Sequence, residues 1–136
     1  MHGVLVDAGP LVSLIDRADP DHEACVEVLK TLRDPLITVW PAFTEAMYLL
    51  RGSWRAQQTL WSRLETEALT LAPLDERDAP RMRALMEKYR DLPMDLADAA
   101  LVRVSERESL RRIFTLDHRH FSLYRPNRQR FSIVPA

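Results

Sequence analysis

The sequence predicts an α/β fold: a central parallel sheet of about four to five strands with helices on both faces. Three observations carry that expectation. Short apolar runs bounded by turn residues recur from Gly3 to Asp7, Leu36 to Trp40, Leu69 to Pro73, Arg112 to Asp117 and Phe131 to Val134. Segments with apolar residues at helical spacing separate these runs, and strands alternating with helices build parallel sheets. The first run, Val4-Leu-Val6, has no polar residue to turn toward water. That is how a strand buried on both faces reads.

Each element has its own signal. After the first strand, Pro10 to Ile15 reads as a short helix, broken at Asp19-Pro20. A second helix spans about Asp21 to Arg33, with Ala24, Val28, Leu29 and Leu32 at helical spacing. Leu36 to Trp40 is β-rich, and Pro41 suits the first position of the helix that follows. That helix carries Glu45 one turn in, then Met47 to Leu50, and stops at Gly52. Ser53 caps another helix to about Glu67, with Trp54, Leu60, Trp61 and Leu64 on one stripe. The run from Leu69 to Pro73 makes a short strand. Asp75 then caps a helix to about Arg90 that turns Met82, Leu85, Met86 and Tyr89 inward. Pro93 precedes a helix from Met94 to about Ser109, and Arg112 to Asp117 repeats the opening theme of an apolar strand ending in Asp. A polar, basic loop leads to the last edge strand, Phe131 to Val134, before Pro135.

A chain of 136 residues is near the usual size of one domain, and 1–136 reads as a single one. With 46% hydrophobic and 29% charged residues it can bury a sizeable core and keep an ordinary wetted surface. The longest stretch without an ionisable side chain, Pro35 to Thr44, is far short of the ~20 apolar residues of a membrane span. The N-terminal run carries Asp7 and has no basic lead, unlike a secretory signal. One cysteine, Cys25, can form no internal disulfide and reads as a small buried hydrophobe, so a cytoplasmic location is expected.

The net charge of -1 is unevenly spread. From Arg103 to Arg130 eight arginines face only Glu106, Glu108 and Asp117, which points to a phosphate-bearing partner at one end of the molecule. Arg119, Arg125 and Arg128 are the candidates for phosphate contact. The competing reading is a solvated helix end decorated with cations.

The acids carry the chemistry. In open α/β sheets ligands gather at the carboxyl ends of the strands. Asp7 and Asp117 close strands, Glu45 lies in the helix that leaves Trp40, and Asp95 and Asp98 open a helix three residues apart, on one face. Each has a plainer role open to it: Asp7, Asp95 and Asp117 as helix or turn caps, Asp98 as the third residue of a capping arrangement, Glu45 as a solvated helix residue. Together they bring four or five carboxylates to one edge. Like charges so placed raise one another's pKa unless a cation joins them. A hard, oxygen-seeking ion is indicated, Mg²⁺ or Mn²⁺. No His or Cys pair has zinc spacing, and His118 and His120 read as phosphate or solvent contacts. Three glycines leave no phosphate-cradling loop. A carboxylate-held divalent ion that activates water and clamps a phosphodiester is the machinery of many nucleases.

These residues, in this order, resemble the PIN-domain family, and in particular its VapC-like toxins. The motifs are Val4-Leu-Val-Asp7 followed by Ala-Gly-Pro-Leu, Glu45 in Pro41-Ala-Phe-Thr-Glu-Ala, Asp98-Ala-Ala-Leu-Val within Asp95-Leu-Ala-Asp, and Thr115-Leu-Asp117 followed by Phe121. The match covers nearly the whole chain. The resemblance implies a PIN-like fold, Mg²⁺- or Mn²⁺-dependent endoribonuclease activity of a toxin, a frequent homodimer and often a cognate antitoxin. By position it implies an acidic quartet of Asp7, Glu45, Asp98 and Asp117, with Thr115 as supporting hydroxyl. Asp95 is an additional acid, either a further ligand or a cap. The alternative is a catalytically silent PIN-fold module that binds RNA or protein through the same cleft.

Overall fold

The computed structural model describes residues 1–136. Its frame is a five-stranded sheet in the order β3-β2-β1-β4-β5, every neighbouring pair parallel. The strands are β1 (Val4–Val6), β2 (Leu36–Thr38), β3 (Leu69–Leu71), β4 (Arg112–Phe114) and β5 (Ser132–Val134). The apolar opening run therefore lies at the centre, its three residues fully buried. Seven helices connect the strands: α1 (Ala8–Ile15), α2 (His22–Thr31), α3 (Trp40–Leu49), α4 (Trp54–Glu65), α5 (Ala79–Lys88), α6 (Leu96–Glu108) and α7 (His118–Phe121).

The two-residue period of β1 sorts the interior into two cores. Leu5 points to one face with Ile37 and Ile113, where residues of α5, α6 and α7 close over it. Val4 and Val6 point to the other with Leu69 and Phe114, packed against α1, α2, α3 and α4. Helices cover both faces, as the alternating pattern predicts. No helix is long and apolar enough to cross a membrane.

Local differences from the sequence reading have physical causes. Trp40 is the first residue of α3, not the end of β2, so Pro41 takes the second helical position, where a missing N–H still costs nothing. The segment after Asp75 starts as a 3-10 turn (Glu76–Asp78) under a reciprocal Asp75–Asp78 capping box, and α5 begins afresh at Ala79 before Pro80. The basic loop holds α7 and a second 3-10 turn (Pro126–Arg128). Four helical residues are too few to show a period. Cys25 is completely buried on α2, as expected.

Candidate active site

Because all strands run in parallel, Asp7 and Asp117 emerge at the same edge, beyond neighbouring β1 and β4. Asp7 caps α1 and belongs to the edge at once: its Oδ1 accepts the Ala8 N–H at 2.8 Å and its Oδ2 the Thr115 hydroxyl at 2.9 Å. Thr115 is fully buried, and its oxygen also accepts the Asp117 N–H at 3.0 Å. One hydroxyl thus ties the two strand-end acids together. Asp117 caps α7, with Oδ1 accepting the His120 N–H at 3.1 Å and Oδ2 lying 2.8 Å from His120 Nδ1.

The N-terminus of α6 meets the same edge. Asp95 is its cap, Oδ1 accepting the Asp98 N–H at 2.8 Å. Asp98, in the first turn, receives the Tyr124 hydroxyl on Oδ2 at 2.6 Å. Glu45 comes from α3, with its side chain in contact with water.

The carboxylates feel one another. Burial pushes the Asp7 carboxyl up, the Ala8 and Thr115 hydrogen bonds oppose it, and Asp95 and Asp117 add repulsion. Glu45 is raised by partial burial, then by Asp7 and Asp95. Burial is also the main cause for Asp98, which is pushed up to about 7; Tyr124 opposes the shift, and Asp95, Asp7 and Asp117 reinforce it. Burial and the bond to Asp98 push the Tyr124 hydroxyl up, so it stays a donor. The Asp117 hydrogen bond raises His120.

Charge pairing sets these acids apart from the other acids held inside the fold. Asp34, Asp78 and Glu106 each hold an arginine. Asp7, Glu45, Asp95 and Asp98 pair with no cationic side chain, and Asp117 has only His120. A set of oxygen donors, crowded and without a protein counter-charge, fits a hard divalent ion. As folded, no three of them stand close enough to hold one ion unaided. Mg²⁺, which usually keeps several of its waters, does not require such a cage.

The predicted arginines separate. Arg119 follows Asp117 directly and is exposed. Arg125 folds back, its Nη1 donating to the carbonyls of Ser122 and Tyr124 at 2.7 and 3.0 Å. Arg128 follows Asn127, which bonds to Glu106 near the far end of α6. Asp98 and Glu106 are eight residues apart on that helix, about 12 Å at the usual rise. Of the three arginines expected to line the cleft, Arg128 is carried away from the acids, because the segment after α7 descends along α6 toward Glu106. His120 touches Asp117 instead of facing solvent, and Tyr124 is a site neighbour that the sequence did not suggest, with Tyr89 packed behind it. An isolated Tyr in a basic stretch carries no spacing signal.

Comparison with known proteins identifies the family. The PIN domain family model matches residues 4–126. Ribonuclease VapC26 of Mycobacterium tuberculosis is 32% identical over 135 residues, covering 97% of this chain and 100% of that protein. Among solved structures, VapC20 of Mycobacterium tuberculosis, described as a sarcin-ricin loop cleaving toxin, superposes with a TM-score of 0.78 at 12% identity, over 85% of this chain and 91% of that one. A toxin-antitoxin complex from Klebsiella pneumoniae gives 0.67 at 17% identity, over 88% and 91%. VapBC2 of Rickettsia felis, bound to a fragment of its promoter DNA, gives 0.61 at 12% identity, over 96% and 97%. With a family match over most of its length and a full-length relative, the chain belongs to the PIN-domain family, in its VapC-like group.

Proposed function

We propose that this protein is a metal-dependent endoribonuclease, a VapC-like toxin that hydrolyses RNA phosphodiesters at the carboxylate edge of its sheet. The observation that carries the reading is the gathering of Asp7, Glu45, Asp95 and Asp98 without a cationic side chain among them, beside Asp117. Asp7, Asp98 and Asp117 would hold Mg²⁺ or Mn²⁺, with Glu45 as a further ligand or as the group that orients the attacking water. When bound, such an ion supplies positive charge to the scissile phosphate and acidifies a water. Thr115 fixes Asp7 and the backbone of Asp117, which ties the two strand-end acids into one arrangement. Asp95 acts as the cap of α6 and adds negative field. Arg119, exposed beside Asp117, meets the phosphate backbone.

The VapC26 name supports ribonuclease chemistry, and toxin-antitoxin complexes among the structural neighbours support an antitoxin as partner. We place the protein in the cytoplasm, as a homodimer that an antitoxin restrains. The test is incubation of the purified protein with total RNA, with Mn²⁺, with Mg²⁺ and with EDTA, beside Asp7→Asn. Cleavage that needs the ion and vanishes in Asp7→Asn is expected. RNA bound but left intact under every condition would make it a silent binding module, and wild-type cutting by Asp7→Asn would remove the site assignment.

A further inference from the structure

Tyr124 is the largest fully buried side chain in the protein, at 0% exposure, yet its polar end reaches an acid of the site. Its O–H donates to Asp98 Oδ2 at 2.6 Å, a length typical of a charge-assisted bond. The ring is held on several sides. Phe121 lies 5.1 Å away at 82° and Tyr89 5.0 Å away at 68°, both edge-on, with the His120 ring stacked at 6.5 Å. Tyr89 is anchored in turn, its hydroxyl accepting the Arg125 N–H at 3.1 Å. This hydroxyl cannot swing aside without opening the core. Asp98 Oδ1, by contrast, accepts no hydrogen bond from the protein.

From this geometry we infer that Tyr124 is a positioning residue of the acidic site: it holds Asp98 by Oδ2 and leaves Oδ1 as the oxygen that meets the divalent cation. The inference rests on the cation reading proposed above. Its physical basis is preorganisation. A carboxylate free to rotate loses side-chain entropy when it binds an ion, whereas one already fixed by an outer donor does not. Asp7 takes the Thr115 hydroxyl from the end of the neighbouring strand and Asp117 takes an amide of its own turn, whereas the donor to Asp98 comes from the segment after α7. The path of the basic segment down α6 is what delivers it.

The experiment uses the full chain as wild type, Tyr124→Phe, Tyr89→Phe and Asp98→Asn, kept cold so that a lowered melting point leaves each folded. Free Mn²⁺ is followed by electron paramagnetic resonance during titration, and RNA cleavage is measured against Mn²⁺ concentration. Tyr124→Phe should bind Mn²⁺ about ten-fold more weakly, the usual cost of losing an outer-shell partner. It should also need correspondingly more Mn²⁺ for half-maximal cleavage, with the rate at saturation close to wild type. Tyr89→Phe, which leaves the bond to Asp98 in place, should keep the wild-type affinity. Unchanged Mn²⁺ affinity in Tyr124→Phe, or an equal loss in both tyrosine variants, overturns the positioning role. If wild type binds no Mn²⁺, or Asp98→Asn binds it like wild type, the cation reading itself falls, and those two measurements show it without reference to the tyrosines.

Discussion

Asp95 and Asp98 share the first turn of α6 but have opposite tasks. Asp95 Oδ1 satisfies the Asp98 N–H, one of the amides a helix start leaves unpaired. Its replacement by Ala should cost about 0.5–2 kcal/mol as a lost cap, with residual cleavage. Asp98→Asn keeps an oxygen for Tyr124 and removes a charge that burial and its neighbours oppose. It should abolish metal-dependent cleavage with little change in stability. Paired thermal melts and Mn²⁺-dependent cleavage decide the matter, and an inactive Asp95→Ala beside an active Asp98→Asn would move the ion one turn earlier. The arginines divide in the same way. Arg119→Ala should weaken binding to every RNA and flatten the salt dependence by about one counterion. Arg128→Ala, beside the Asn127 that bonds near the far end of α6, should leave both unchanged. Equal effects in salt titrations of the two variants would mean that RNA follows the whole basic segment, not the cleft alone.

At the scale of elements, α5 is bound to α6 by an ion cluster at the end remote from the acids. Asp78 is nearly buried and takes Arg103 Nε at 2.8 Å and Arg107 Nη1 at 3.1 Å, while Arg81 and Glu106 pair at 2.8 Å. Burial alone would raise the Asp78 carboxyl, but the Arg103 bond, the Asp75 N–H and Arg107 outweigh it and hold the group below its ordinary value. The sign follows: the unfolded chain takes up this proton first as pH falls. The stabilisation is therefore complete above the unfolded value of about 3.9 and is lost as pH drops through the folded one. Asp78→Asn should cost roughly 3–5 kcal/mol at neutral pH, because two arginines lose their buried partner. Urea melts across the acid range should show the gap to wild type closing below the unfolded value; a constant gap would assign the loss to packing. Elements of this kind show how far the sequence could be read. Strands β1 and β4 were legible because an unbroken apolar run ending in Asp has few other uses, and the acids followed from where parallel strands must end. The Asp78 cluster was not, since its partners lie 25 and 29 residues away and only tertiary packing brings them together. The same distance hid Tyr124, and Arg128 looked like Arg119 because a basic loop does not announce where it descends.

For the molecule as a whole, the unfinished surface lies on the α3 and α4 side. Across α3, α4 and the turn between them the sequence sets Tyr48, Leu50, Trp54, Trp61 and Leu64, more apolar surface than one small domain readily buries. Leu50 joins the core and Leu64 packs against it, whereas Trp54 is 67% exposed, Tyr48 59%, Trp40 51%, Leu49 51% and Trp61 40%. Trp40 and Trp61 are edge-on at 6.3 Å, both against Phe43, so this exposed aromatic cluster is anchored from beneath. Arg51 lies over the Tyr48 ring at 4.0 Å. Large aromatics with one arginine, left open to water, have the composition of an interface centre. The proposed homodimer should bury them. Trp54→Arg tests this cleanly, because Trp54 opens α4 with its side chain in solvent. An exposed substitution of that sort usually changes stability by about 0.5 kcal/mol or less. Light scattering should report a dimer for wild type and a monomer for Trp54→Arg, with the same circular dichroism and nearly the same melting point. A wild-type monomer that co-purifies with a small protein would give the patch to the antitoxin. A wild-type monomer without one, or a variant that stays dimeric, would take the patch out of the dimer interface.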